Sequence, residues 1–270
     1  SIEQVAYDGF NLANFGDVVV ISLNHRLNII GYLDLSPYGE KYQNSGNAGN
    51  ADLVAALQWI HDNIAAFGGD PDNVTIFGQS GGGGKVSSLL QTPAADGLFH
   101  KGIIMSGIAD GIMFQEGNPR PLIDGMLHEL GLTEAEVEKL ETIPYEQLAA
   151  AYKKVSPSIK EAGGYVGCAP IANGYYVGDG RKVGFTEHAG IIPILAGTVI
   201  AEFGMAVNIP HKHELKPEEK MSILKNQFGE EAENLAALFK AAYPDKNVLD
   251  LTVLDFFSRI PTCDFIEKKV

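Results

Sequence analysis

Asn73-Val74-Thr75-Ile76-Phe77-Gly78-Gln79-Ser80-Gly81-Gly82-Gly83-Gly84-Lys85-Val86 is the stretch that decides the fold. A short β-rich run enters a glycine-rich turn, and Val86, Leu89 and Leu90 then continue at helical spacing. Within it, Gly78-Gln79-Ser80-Gly81-Gly82 fits G-x-S-x-G in the strand-turn-helix context that the pattern requires. The reason is steric. A reversal from strand to helix strains the serine backbone, so its neighbours must be small for the turn to close and the hydroxyl to project above the sheet. Ser80 is therefore the candidate nucleophile. The Gly81 amide, at the start of the helix, is the candidate donor to an oxyanion. The competing reading, a phosphate loop, fails twice. Counting back from Gly84-Lys85 puts Gln79 where the first glycine belongs, and Val86 replaces the hydroxyl residue that holds magnesium.

Outward from this stretch, strands and helices alternate. Asp17-Val18-Val19-Val20-Ile21-Ser22-Leu23-Asn24 is a continuous β-branched run, expected in the middle of a parallel sheet and covered on both faces. Leu53, Leu57, Ile60 and Ile64 mark a buried helix from Asn50 to Ala66, stopped by Gly68-Gly69-Asp70-Pro71. Lys101 to Ser106 and Ile191 to Gly197 supply two more strands. The alternation predicts an α/β fold with a mostly parallel sheet flanked by helices. A polar helical stretch at 114–156, with a capping box at Thr133 and Glu136, reads as an insertion into a single domain spanning 1–270. Helices are also expected from Pro217 to Gly229 and from Asn247 to Ser258.

The 270 residues carry a formal charge of −14, which disfavours nucleic acid or an anionic membrane surface as a partner. A small neutral or cationic molecule fits better. No apolar run is long enough to span a bilayer, and no leader pattern opens the chain. The cytoplasm is the expected compartment. Cys168 and Cys263 are the only cysteines and are expected as free thiols rather than a scaffold or zinc site.

Several segments resemble the type B carboxylesterases, the group that includes cholinesterases and bacterial p-nitrobenzyl esterases. They are Asn24-His25-Arg26-Leu27, Gly46 to Asp52, Ala56 to Ile60, Asn63 to Pro71, the serine turn, and Gly97-Leu98-Phe99-His100 leading to Ser106-Gly107. The resemblance implies the α/β-hydrolase fold and ester hydrolysis through an acyl-enzyme on Ser80, with no cofactor and no metal. It also implies Glu202 as triad acid, since this residue follows a strand similar to Pro193 to Thr198. Read from the residues alone, Glu202 is a solvated loop carboxylate. Ser106 matches a serine that backs the acid in the family, and Arg26 and Asp52 fall where the family forms structural ion pairs.

The sequence also departs from the family. Nothing like its His-Gly-Gly-Gly oxyanion loop occurs, and no histidine follows His213. His211 and His213, the only ones after Glu202, lie in a polar loop and read as solvated. Both gaps are expected of a chain truncated at each end. The alternative is a non-catalytic binding module on the same fold, a class that often lacks the nucleophile this chain keeps.

Overall fold

A computed structural model of the chain describes residues 5–110, 116–204 and 208–270. Among the described residues the sheet has three parallel strands, β1 (Thr75–Gln79), β2 (Lys101–Met105) and β3 (Ile194–Gly197), in that spatial order. The helices in chain order are α1 (Phe10–Gly16), α2 (Asn28–Tyr32), α3 (Ala48–Asn63), α4 (Gly81–Leu90), α5 (Arg120–Glu129), α6 (Tyr145–Glu161), α7 (Gly180–Val183), α8 (Glu187–Ile191), α9 (Pro217–Phe228), α10 (Ala232–Ala242) and α11 (Arg259–Lys269). Gln79 pairs with Met105 and Met105 with Gly197, so the three carboxyl ends lie level. In open parallel sheets this is the edge where ligands bind, because the loops that leave it converge there.

The core beneath that edge comes from helical periodicity in α3. Leu53, Leu57, Ile60 and Ile64 recur on one face and pack against Val86, Leu89 and Leu90 of α4 and against Phe99 and Ile104. Each fully buried aliphatic side chain of this kind stabilises the fold by about 2 kcal/mol. The helical segment then ends at Gly68, whose φ of 81° is left-handed and whose N–H closes on the carbonyls of Ile64 and Ala65.

Two satellite cores flank the sheet. Ile29 and Leu33 join Leu122, Ile123 and Met126 of α5 under the helical stretch, where the capping box of Thr133 and Glu136 is formed. Helix continues past residue 156 to Glu161, while residues 114 and 115 lie outside the described residues. Tyr165 fastens this layer to the rest: its hydroxyl donates to the Tyr32 carbonyl at 2.5 Å and accepts from Asp34 N–H at 2.9 Å. The third core joins α9 and α10 through Leu224, Ala236 and Phe239.

Two expectations are corrected. Among the described residues the run Asp17–Asn24 joins no ladder, and Val18, Val19, Ile21 and Leu23 are exposed. A β-branched run records an affinity for pleated, covered surroundings, but a strand exists only where a neighbour completes its hydrogen bonds, and the β1-β2-β3 ladder offers this run none. The stretch Asn247–Ser258 holds only a short 3₁₀ turn, Val248–Val253, with Asn247 accepting from Leu249 N–H. The longer helix begins at Arg259 instead. Asp255 determines that start, because its buried carboxylate accepts from the N–H groups of Phe257 (2.9 Å), Ser258 (3.0 Å) and Arg259 (2.8 Å).

Candidate active site

Ser80 connects β1 to α4 with φ 54° and ψ −121°, a left-handed conformation that a non-glycine residue adopts only at a cost of order 1–3 kcal/mol. Two hydrogen bonds hold it there. Ser80 N–H donates to the Met105 carbonyl at 2.8 Å, and Gly84 N–H donates to the Ser80 carbonyl at 3.0 Å. Glycine is required at 78, where a Cβ would meet the Gly82 carbonyl carbon at 2.3 Å. Ser80, Gly81 and Gly82 are exposed, so the hydroxyl and the first amides of α4 face solvent.

Ser106 repeats this geometry after β2. Its φ is 51°, and its N–H donates to the Gly197 carbonyl at 2.8 Å. The next residue, Gly107, packs directly on α4, since a Cβ there would meet Gly83 Cα at 2.4 Å. The turns after β1 and β2 therefore back onto one another through two glycines.

Glu202 lies in the turn after β3, half-buried, with Oε1 accepting from Val199 N–H at 2.9 Å. The same turn is tied to the start of α11 by Asp255 N–H, which donates to the Ile200 carbonyl at 2.9 Å. The fold thus brings Ser80, Gly81 and Ser106 together and delivers Glu202 to the same end of the sheet. Among the described residues no hydrogen bond joins Glu202 to Ser80 or Ser106.

His211 lies 3.6 Å from Glu214, and both it and His213 line an open cavity of about 300 Å³ beside Lys212 and Asp250. Neither Ser80 nor Glu202 lines that cavity. Among the described residues no three His, Cys, Asp or Glu side chains gather as a metal site. Cys168 and Cys263 are free thiols.

Behind the serine turn, Asp52 of α3 takes three contacts from the Arg26 guanidinium, the shortest at 2.7 Å, and one from Arg26 N–H at 2.8 Å. The hydrogen-bonded guanidinium holds the Asp52 carboxyl below the usual carboxylate range. Burial lowers His25. Sequence reading missed Lys85, noting it only as part of a failed phosphate loop. Its signal was a lone cation on a helix that continues through the apolar residues Val86, Leu89 and Leu90.

Known proteins give this geometry its context. The model of the carboxylesterase family matches residues 1–251. A para-nitrobenzyl esterase of Bacillus subtilis is 43% identical over 155 residues, covering 57% of this chain and 31% of that protein. The solved structure of an esterase from anaerobic Clostridium hathewayi, described as able to hydrolyze aliphatic aromatic polyesters, superposes with a TM-score of 0.93 at 56% identity. It covers 99% of this chain and 54% of the other. A thermophilic p-nitrobenzyl esterase superposes with a TM-score of 0.69 at 34% identity, covering 97% of this chain and 53% of its own. The chain spans about half the length of these solved relatives. Among the described residues no helix is long and apolar enough to cross a membrane. With its parallel sheet, its strained serine turn and a match running almost from end to end, the chain belongs to the carboxylesterase family.

Proposed function

We propose that the protein containing this chain hydrolyses small carboxylic esters through an acyl-enzyme on Ser80. The observation that carries this reading is the strained Ser80 backbone, which presents the hydroxyl to solvent directly before the amides of α4. In the first half-reaction Ser80 Oγ bonds to the ester carbonyl carbon, its proton passes to a histidine, and the carbonyl oxygen gains negative charge facing the Gly81 amide. Collapse breaks the bond to the alcohol, which leaves with the proton. Water then adds to the acyl-enzyme by the same route and releases the acid, so the serine is regenerated with no net redox change.

Glu202 serves as the triad acid by fixing the histidine tautomer, and Ser106 supports that corner. The base and further oxyanion donors come from the remainder of the protein, consistent with relatives about twice as long. We extend the substrate class to aliphatic aromatic polyesters, on the likeness to the Clostridium hathewayi enzyme.

The test is hydrolysis of p-nitrophenyl butyrate by the 270-residue chain beside a version with its encoded flanks, each with Ser80→Ala. We predict activity in the longer version only, and a loss of about a millionfold in kcat with Ser80→Ala. Equal activity of the short chain through Ser80 would place a base within it. Inertness of both, together with no organophosphate labelling at Ser80, would favour a binding module.

A further inference from the structure

Lys85 occupies the second turn of α4, five residues beyond Ser80 and about 7.5 Å along the helix axis. Its Nζ lies 4.1 Å from the ring centroid of Tyr32, a side chain with no exposed surface. The ring is fixed in turn. Tyr32 Oη donates to Asn50 Oδ1 at 3.1 Å, and Asn50 Nδ2 donates to Ser88 Oγ at 3.0 Å. Ser88 lies one turn from Lys85 on α4, so the contacts close a ring of Lys85, Tyr32, Asn50 and Ser88.

The ammonium at one end of this ring has no carboxylate within ion-pair distance among the described residues. The groups that interact with it are the Tyr32 ring and His25, whose own value its charge lowers, while the nearest carboxylate to His25, Asp52, is committed to Arg26 at 2.7 Å. A charge drawn out of water without a counter-charge is costly, and a tyrosine face returns only part of that cost. Something other than stability must account for it.

We propose that the Lys85 ammonium acts through space as an electrostatic positioning residue for the ester chemistry at Ser80, adding to the field by which the N-terminus of α4 and the Gly81 amide hold the oxyanion. The proposal rests on the Ser80 reading above. The helix dipole already favours negative charge at that end, and Lys85 reinforces it from behind without touching substrate. At an effective dielectric near 20, a unit charge roughly 10 Å away changes a rate on the order of tenfold.

The sign of its pH dependence follows from burial, which pushes Lys85 down to about 8. Below that pH the charge and the rate enhancement are present, and above it both are lost. Stability runs the other way. The unfolded chain holds the Lys85 proton up to the ordinary lysine value, so folding becomes more favourable as pH rises from about 8 towards 10.5. Removing the charge should therefore give a more stable, slower enzyme, a combination that a packing role alone does not produce.

The experiment compares the flanked enzyme with its Lys85→Met, Lys85→Arg and Ser80→Ala variants on p-nitrophenyl butyrate, between about pH 6 and about pH 10. The wild type should lose about tenfold in kcat through pH 8, with KM unchanged because the ester is neutral. Lys85→Met should run at the lower plateau throughout and melt higher at pH 7 but not at high pH. Lys85→Arg should keep the upper plateau with no fall. A Lys85→Met enzyme that keeps the wild-type rate and alkaline fall overturns the proposal. Lower melting of Lys85→Met at pH 7 also overturns it, since a carboxylate elsewhere in the protein would then pair the lysine. Activity surviving Ser80→Ala overturns the Ser80 reading and this proposal together, whereas the two preceding outcomes leave that reading standing.

Discussion

The corners that carry Ser80 and Glu202 lie at the same end of one sheet but are held by different means. Around Ser80 the backbone is over-determined: a left-handed φ, two hydrogen bonds within 3.0 Å, and glycines at 78, 83 and 107 whose replacement would drive a Cβ into backbone. Among the described residues around Glu202, the carboxylate accepts one local bond from Val199 N–H, and its turn is held by Asp255 N–H to Ile200, Gly204 N–H to Ala201 and an edge contact between Phe203 and Phe257, with no glycine packed into backbone as at 78, 83 and 107. The first corner is completed by nearby residues. The second depends on what is brought to it. On the proposed reading, the nucleophile's turn needs stored strain and therefore rigid support, whereas a carboxylate that orients a partner needs little beyond its place until the partner arrives.

The sharpest way to break this comparison is Glu202→Gln in the flanked enzyme. We expect kcat to fall by about a thousandfold or more with the melting temperature unchanged, because the substitution removes a charge but no buried packing. A melting temperature several degrees lower would show that the acid corner is as constrained as the serine corner. The converse test is Gly107→Ala, whose methyl meets Gly83 Cα. Urea unfolding should show a loss of about 3 kcal/mol, with organophosphate labelling of Ser80 slowed in parallel. Wild-type labelling and stability would mean that the two turns can move apart freely.

The smallest effect belongs to the ion pair behind the serine turn. Arg26 lowers the folded-state Asp52 value, so the pair's stability is present above the unfolded carboxylate pKa and is lost as pH falls through the depressed one. Both side chains are partly exposed, and screening holds the contribution under about 1 kcal/mol. Asp52→Asn should therefore flatten the acid limb of the stability curve and little else. A loss of several kcal/mol at pH 7 would place the pair among the supports of Ser80.

What the sequence made legible follows the same division. β1, the serine turn and α4 could be read because strand, glycines and helix lie in one contiguous segment, whereas the Met105 carbonyl and Gly107 that support the turn lie beyond it. The α3 face and the Thr133–Glu136 cap were equally local. Asp17–Asn24 was misread because pairing is a relation between distant segments, and Val18 to Leu23 carry no mark of whether a neighbour arrives. The boundary near residue 258 depends on the Asp255 carboxylate, which accepts the first N–H groups and starts the helix at Arg259, after the expected stretch has ended. Lys85 was passed over for the same reason as Asp17–Asn24: its partner Tyr32 is 53 positions away.

The hydrogen bond from Asp255 to Ile200 has a practical consequence. It couples the Glu202 turn to a helix that carries an exposed thiol, Cys263, while the other thiol, Cys168, is half-buried and contacts the Tyr152 hydroxyl at 3.0 Å. A maleimide dye on Cys263 would thus report, from the far end of that bond, on movement of the Glu202 turn.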